Sequence, residues 1–134
     1  MAVTLKIRQY AQQSLDRLDR ETPYGLSYRT HVVVRTLSEK LQERIELTGK
    51  NPKSTAGAIV YLACVVEDQQ IRQMDVANSL DTSDVSIRKA YHLILEILNK
   101  EPHEWHDMVP ASLLQKLNKD YNQRSNHGHK EPRR

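Results

Sequence analysis

The stretch Gln73-Met74-Asp75-Val76-Ala77-Asn78-Ser79-Leu80-Asp81-Thr82-Ser83-Asp84-Val85-Ser86-Ile87 has the spacing of a helix, a tight turn and a second helix. Two helices cross closely only where the contact residue on the first is small, and Ala77 meets that need. The turn that follows requires a left-handed backbone, most often supplied by glycine; Asp81 is one of the few other residues that tolerate it. Leu80 and Ile87 are spaced to plug the crossing. The pattern predicts a helix-turn-helix, although an ordinary helical hairpin in a bundle has the same spacing. What separates the two is the exposed face of the second helix. Val85, Arg88 and Lys89, with Ser86 and His92, fall away from the apolar stripe of Ile87, Ala90, Tyr91, Ile94, Ile97 and Leu98. One apolar group and one arginine near the start of a helix suit a thymine methyl and a guanine edge in a major groove.

Outward from this segment, apolar residues recur at helical spacing and no stretch alternates with the period of a strand, so the chain reads as all-α. A helix over residues 83–98 has Thr82 or Ser83 as its cap and Asp84 in its first turn, where a negative charge suits the helix dipole. Upstream, Asn51 and Pro52 form a cap and a first helical residue for a helix running to residue 67. That helix is apolar or small nearly all round, as expected of a central helix on which others pack, and it carries Cys64 as a buried small hydrophobe. Residues 28–47 form an earlier core helix with the stripe His31, Val34, Leu37, Leu41 and Ile45, closed by Gly49. Residues 5–18 make a polar, charge-laced helix with few anchors, ended by Pro23 and Gly25, and are taken as an appendage. Beyond Pro102 the periodicity weakens until a possible last helix at 112–121, and residues 122–134 have no apolar anchor, as in a disordered tail.

Composition bounds the function. A chain of 134 residues holds one domain with or without a tail, which excludes an enzyme of separate cofactor and substrate lobes. Its longest apolar-rich run, 54–66, is too short and too rich in small polar residues to span a bilayer, and its start lacks the apolar core of a signal peptide. A soluble, non-secreted protein with no membrane partner is expected. The single cysteine rules out an internal disulfide and any zinc site of two or more thiolates. The net charge of +3 lies wholly in residues 119–134, where Lys119, Arg124, Lys130, Arg133 and Arg134 outnumber Asp120 and Glu131; residues 1–118 are neutral. Any nucleic-acid surface must therefore come from local clustering.

Gly49-Lys50-Asn51-Pro52-Lys53-Ser54-Thr55-Ala56-Gly57-Ala58-Ile59-Val60-Tyr61-Leu62-Ala63, the helix-turn-helix, and Asp84 through Ile94 together resemble the second cyclin-like repeat of transcription factor IIB and of its archaeal counterpart, transcription factor B. The likeness covers residues 26–117, and Pro102, Trp105 and Pro110 resemble the flank that closes the eukaryotic version. The resemblance implies a single five-helix cyclin-like domain over 26–118 containing a helix-turn-helix, preceded by an extra helix in an appendage at 1–25 and followed by a basic disordered tail at 119–134. It implies a basal transcription initiation module that binds promoter DNA beside the TATA box, at the B recognition element. Its partners would be TATA-binding protein and, through parts of the family architecture not seen in this chain, RNA polymerase. Val85 and Arg88 match the family's base-reading residues. Lys50 and Lys53 stand at or beside its phosphate contacts, with Ser86 and Lys89 in supporting places, while Ala77, Leu80, Asp81 and Ile87 form the helix-turn-helix packing. The implied location is the nucleus in a eukaryote and the cytoplasm in an archaeon. Two departures stand out: Asp81 replaces a glycine, and Asp75, Asp81 and Asp84 set three acids beside a few bases.

Other signals carry less. His103 and His106 are three apart behind a proline, not four apart on a helix as a metalloprotease needs, and His127 with His129 has no second pair. The four glycines form no phosphate-cradling loop. No metal, cofactor, small-molecule substrate or enzymatic activity is expected. The alternative to DNA binding is a cyclin-like scaffold for protein interactions with little DNA readout, which has no need of the Val85 and Arg88 pair.

Overall fold

The computed structural model describes residues 2–23, 25–42, 44–47, 49–101, 105 and 107–109. Among these residues there are five α-helices and no strand: α1 (Ala2–Glu21), α2 (Tyr28–Leu41), α3 (Pro52–Val66), α4 (Gln73–Ser79) and α5 (Asp84–Lys100), with one turn of 3₁₀-helix at Ile45–Leu47. The chain forms two compact units, Met1–Ile94 and Leu95–Arg134. No helix among the described residues is long and apolar enough to cross a membrane.

α3 is the centre of the first unit. The Asn51 side chain accepts a hydrogen bond from the Lys53 amide at 2.9 Å, and Pro52 occupies the first helical position with its φ already set. Every residue from Ser54 through Val60 is buried, as are Leu62, Ala63 and Cys64. α1, α2 and α4 all pack on this helix. Its small side chains let the neighbours approach, and Ile59 and Leu62 each contribute about 1.5–3 kcal/mol by leaving water. Burial pushes the Cys64 thiol up to about 12, so it is held as a neutral, packed group.

The reading of residues 1–25 as an appendage is corrected by α1. Ile7, Ala11, Leu15 and Leu18 are each only 2% exposed, and the helix lies on α3 with further contacts to α2 and α4. These residues form one narrow stripe at spacings of four, four and three. The stripe is easily missed because one of its members is alanine, and Ser14 beside it is also fully buried. α1 is therefore part of the core of the first unit. The helix expected at 112–121 and the tail lie outside the described residues.

A second correction concerns α2, which stops at Leu41 instead of reaching residue 47. The Ser27 side chain starts it by accepting from the Thr30 amide at 3.1 Å. After Gln42 the backbone tightens into successive turns, with Arg44 donating to Leu41, Leu47 to Arg44 and Lys50 to Leu47 at 3.0–3.1 Å. Gly49, at φ +80°, reverses the chain into α3 and does not cap α2. A similar device closes α3: Asp68 takes φ +55°, and Gln69 and Asp68 donate to the carbonyls of Cys64 and Val65 at 2.8 and 3.2 Å. This double bond is a Schellman closure made with aspartate in place of glycine. The Gln69 side chain then accepts from the Ser27 amide at 2.6 Å and the Thr30 hydroxyl at 2.9 Å, tying the end of α3 to the start of α2.

In the second unit, Leu95, Ile97, Leu98, Trp105 and Val109 are buried, and the Trp105 carbonyl accepts from Met108 and Val109 at 3.0 and 2.7 Å.

Candidate nucleic-acid interface

α4 begins where the Asp75 carboxylate turns back to accept the Arg72 amide at 2.9 Å, while the Arg72 guanidinium donates to the same carboxylate at 3.2 Å. These hydrogen bonds hold the Asp75 carboxyl below its ordinary value. At the other end, Asp81 adopts φ +53°. Thr82 donates to the Ala77 carbonyl at 3.0 Å and Asp81 to that of Asn78 at 3.3 Å, the same Schellman arrangement that ends α3. Ser83 then caps α5, its hydroxyl oxygen accepting from the Ser86 amide at 3.1 Å and its proton going to the Ser86 hydroxyl at 3.0 Å. Helix, left-handed turn and capped helix follow within eleven residues, 73–83.

Ala77, Leu80 and Ile87 are fully buried. Leu80 and Ile87, together with Val76, pack on Gly57 of α3. A β-carbon there would overlap Ile87 Cδ1 and lie 3.3 Å from Leu80 Cδ1 and 3.4 Å from Val76 Cγ1. The glycine supplies room for the crossing, not an unusual backbone. One turn further along, the Tyr61 and Tyr91 rings meet edge to face at 5.1 Å and 74°, fixing α5 on α3.

α1 supports the turn from behind. Ser79 donates its hydroxyl proton to the Val76 carbonyl at 2.6 Å, so the buried Ser14 hydroxyl donates to Ser79 Oγ, also at 2.6 Å. Arg17 donates to the Ser79 carbonyl at 3.2 Å and lies 3.9 Å from the Asp81 carboxylate. Gly57, Ser14, Arg17 and Ser79 are absent from the sequence-derived site. The small residues at 14, 57 and 79 are its only trace in the sequence, and such residues are common in any helix.

On the outer face, Val85 is 46% exposed and Arg88 and Lys89 are exposed beside it, at the spacing of one helical stripe. Arg88 reaches Asp84 at 3.4 Å, a solvent-accessible pair that contributes little stability and leaves the guanidinium available to another acceptor. Ser86 is half-buried and engaged with Ser83. Lys50 and Lys53 stand elsewhere, on the loop before α3 and in its first turn; Lys50 is exposed, and the Lys53 ammonium sits 5.8 Å from the centre of the Tyr10 ring. Each of the three acids noted in the sequence has a basic neighbour: Asp75 has Arg72, Asp81 has Arg17 and Asp84 has Arg88. Among the described residues no group of three His, Cys, Asp or Glu side chains could hold a metal ion, and His103, His106, His127 and His129 lie outside them.

The family model of the transcription factor TFIIB repeat matches residues 25–97, more than half of the chain and the segment from α2 through most of α5. The chain belongs to the TFIIB family. Members of this family are transcription factors, not enzymes. The chain is 29% identical over 100 residues to transcription initiation factor IIB of Methanopyrus kandleri, an alignment covering 74% of this chain and 33% of that protein. It is 33% identical over 73 residues to transcription initiation factor IIB 2 of Haloferax volcanii, covering 54% and 22% respectively. The plant-specific TFIIB-related protein 1 of Arabidopsis thaliana is 32% identical over 65 residues, covering 48% of this chain and 12% of that protein. The chain thus aligns with a third or less of the length of these curated relatives. No solved structure matches it.

Proposed function

We propose that this TFIIB repeat is a promoter-binding module of transcription initiation, with the first two turns of α5 entering the major groove beside the TATA box. The observation that carries the reading is the exposed Val85, Arg88 and Lys89 stripe, presented by a capped helix whose opposite face is locked on α3. A recognition helix needs both properties: side chains free to meet base edges, and a scaffold that fixes their register. Arg88 is the base reader, donating in bidentate fashion to guanine, and Val85 contacts a thymine methyl. Lys89, Lys50 and Lys53 serve phosphates, with Ser86 in a supporting role at the start of the helix.

The neutral folded body offers few phosphate-neutralising groups, so counterion release supplies little affinity on its own. TATA-binding protein on bent DNA would provide the second contact and make the groove contact effectively intramolecular. RNA polymerase would be engaged through the larger assembly. The test compares two variants on matched and scrambled promoter DNA. Arg88→Ala should weaken matched binding by about 1–3 kcal/mol and flatten the preference at one base. Lys53→Ala should weaken both DNAs alike and lower the salt slope by about one. Identical behaviour of the two variants would overturn the division between base reader and phosphate contact. A scaffold without DNA readout would leave both DNAs unaffected by either change.

A further inference from the structure

A cleft of about 430 Å³ opens between α1 and α2, away from the helix-turn-helix. Leu15 and Val34 contribute buried apolar walls, and Arg8 and Arg35 stand on opposite sides, one on each helix. Both arginines are exposed, and neither has a hydrogen bond or ion pair among the described residues. No carboxylate lines the cleft. His31 does, and its ring is held from the side by Asp19 at 2.9 Å; the other oxygen of Asp19 accepts the Leu26 amide at 2.7 Å. Ser38 also lines the cleft, 2% exposed, and its hydroxyl is buried with no hydrogen-bond partner.

We infer that this cleft binds an acidic segment of a partner protein, its carboxylates received by Arg8 and Arg35 and an adjoining apolar side chain seated on Leu15 and Val34. Two guanidinium groups with no acid of their own flank a concavity, and their planar donor forks match carboxylate geometry. The apolar walls argue for a peptide rather than a nucleic acid, because a phosphodiester backbone offers nothing to bury there. The neutral body likewise lacks the broad positive field that holds a polyanion. The volume suits one or two side chains, within the ordinary range of ligand clefts. This site is independent of the DNA-reading face: α1 and α2 form it, while α5 takes no part.

The test is fluorescence anisotropy on the full chain with a labelled peptide alternating glutamate and leucine, and with the same peptide carrying lysine in place of glutamate. Only the acidic peptide should bind. The Arg8→Gln, Arg35→Gln double variant should lose about tenfold or more in affinity, as two charge-assisted contacts disappear. Arg20→Gln, which removes one charge outside the cleft, should stay within about twofold, and Arg88→Ala should leave peptide binding unchanged whatever it does to DNA. The thermal melting temperature of the double variant should match the parent, since both arginines are exposed. The inference fails if the parent does not bind the acidic peptide, if the double variant binds it as well as the parent does, or if the lysine peptide binds equally. It also fails if duplex DNA displaces the peptide and binds through Arg8 and Arg35, which would make the cleft a nucleic-acid surface.

Discussion

Gly57→Ala tests how α4 and α5 are mounted on α3. In an isolated helix this change gains about 1 kcal/mol, because alanine loses less backbone entropy than glycine. Here the new methyl overlaps Ile87 Cδ1 and is tight against Leu80 Cδ1 at 3.3 Å and Val76 Cγ1 at 3.4 Å. Ile87, Leu80 and Val76 are all fully buried, so the displaced Ile87 methyl has no open space to enter. Overpacking of a closed core costs about 1–3 kcal/mol, and an off-rotamer isoleucine accounts for about 0.5–1.5 kcal/mol of that. The net expectation is a loss of about 1 kcal/mol. Ile87→Val deletes the obstructing methyl and alone costs about 0.5–1.5 kcal/mol. In the double variant the alanine methyl fills the space vacated by Cδ1 and the helix-propensity gain returns. Its stability should therefore equal or exceed that of Ile87→Val, a coupling of about 1–2 kcal/mol. Urea unfolding followed by circular dichroism on all four proteins measures it. Additive losses, or a Gly57→Ala protein about 1 kcal/mol more stable than the parent, would refute the crossing described here.

Three further outcomes follow from the turns and the core. Asp81→Gly should leave stability within about 1 kcal/mol of the parent, since relief of the left-handed backbone is offset by a freer unfolded chain, whereas Asp81→Val should lose about 1–2 kcal/mol or more; thermal melts separate the two. Asp75 has a lowered folded pKa, so the stability it provides is complete above the ordinary aspartate value of 3.8 and is lost as pH falls through the lower folded value. The difference in melting temperature between the parent and Asp75→Asn should be constant from neutral pH to about pH 5 and should shrink towards zero in acid; a gap that widens in acid would contradict the assignment. Cys64, with its thiol at about 12, presents on the order of one thiolate in ten thousand molecules at pH 8. It should react with a disulfide reagent only after denaturant is added, and rapid labelling of the native chain would place it outside the core.

Much of this fold could be read from residue pattern. α3 is plain because Asn51, Pro52 and an unbroken run of small and apolar residues mark both its start and its burial. The turn between α4 and α5 is legible through Ala77, Asp81 and Ile87, since each answers a steric demand that few residue types meet. The burial of α1 is hard to read because its stripe comprises only four residues in a twenty-residue helix, and Ala11 and Ser14 carry no strong hydropathy signal. The end of α2 has no local mark because no glycine or proline stands between Leu41 and Gly49, and the chain leaves the helix through successive tight turns. Asp68 and Asp81 share a left-handed backbone, but only Asp81 sits in a neighbouring pattern that calls for one. The pairing of Ser14 with Ser79, 65 residues apart, has no local trace at all.

The proposal that α5 reads promoter DNA is tested most directly by titrating the full chain onto labelled DNA carrying a TATA element, with the flanking base pairs either matched or scrambled, in the presence and absence of TATA-binding protein. The expected result is weak, salt-sensitive and unselective binding by the chain alone. With TATA-binding protein present, binding should be tighter and should discriminate the flanking sequence by about 1–3 kcal/mol per critical base pair, a preference that Arg88→Ala abolishes. Equal affinity for matched and scrambled flanks in the presence of TATA-binding protein, or a preference that survives Arg88→Ala, would contradict it.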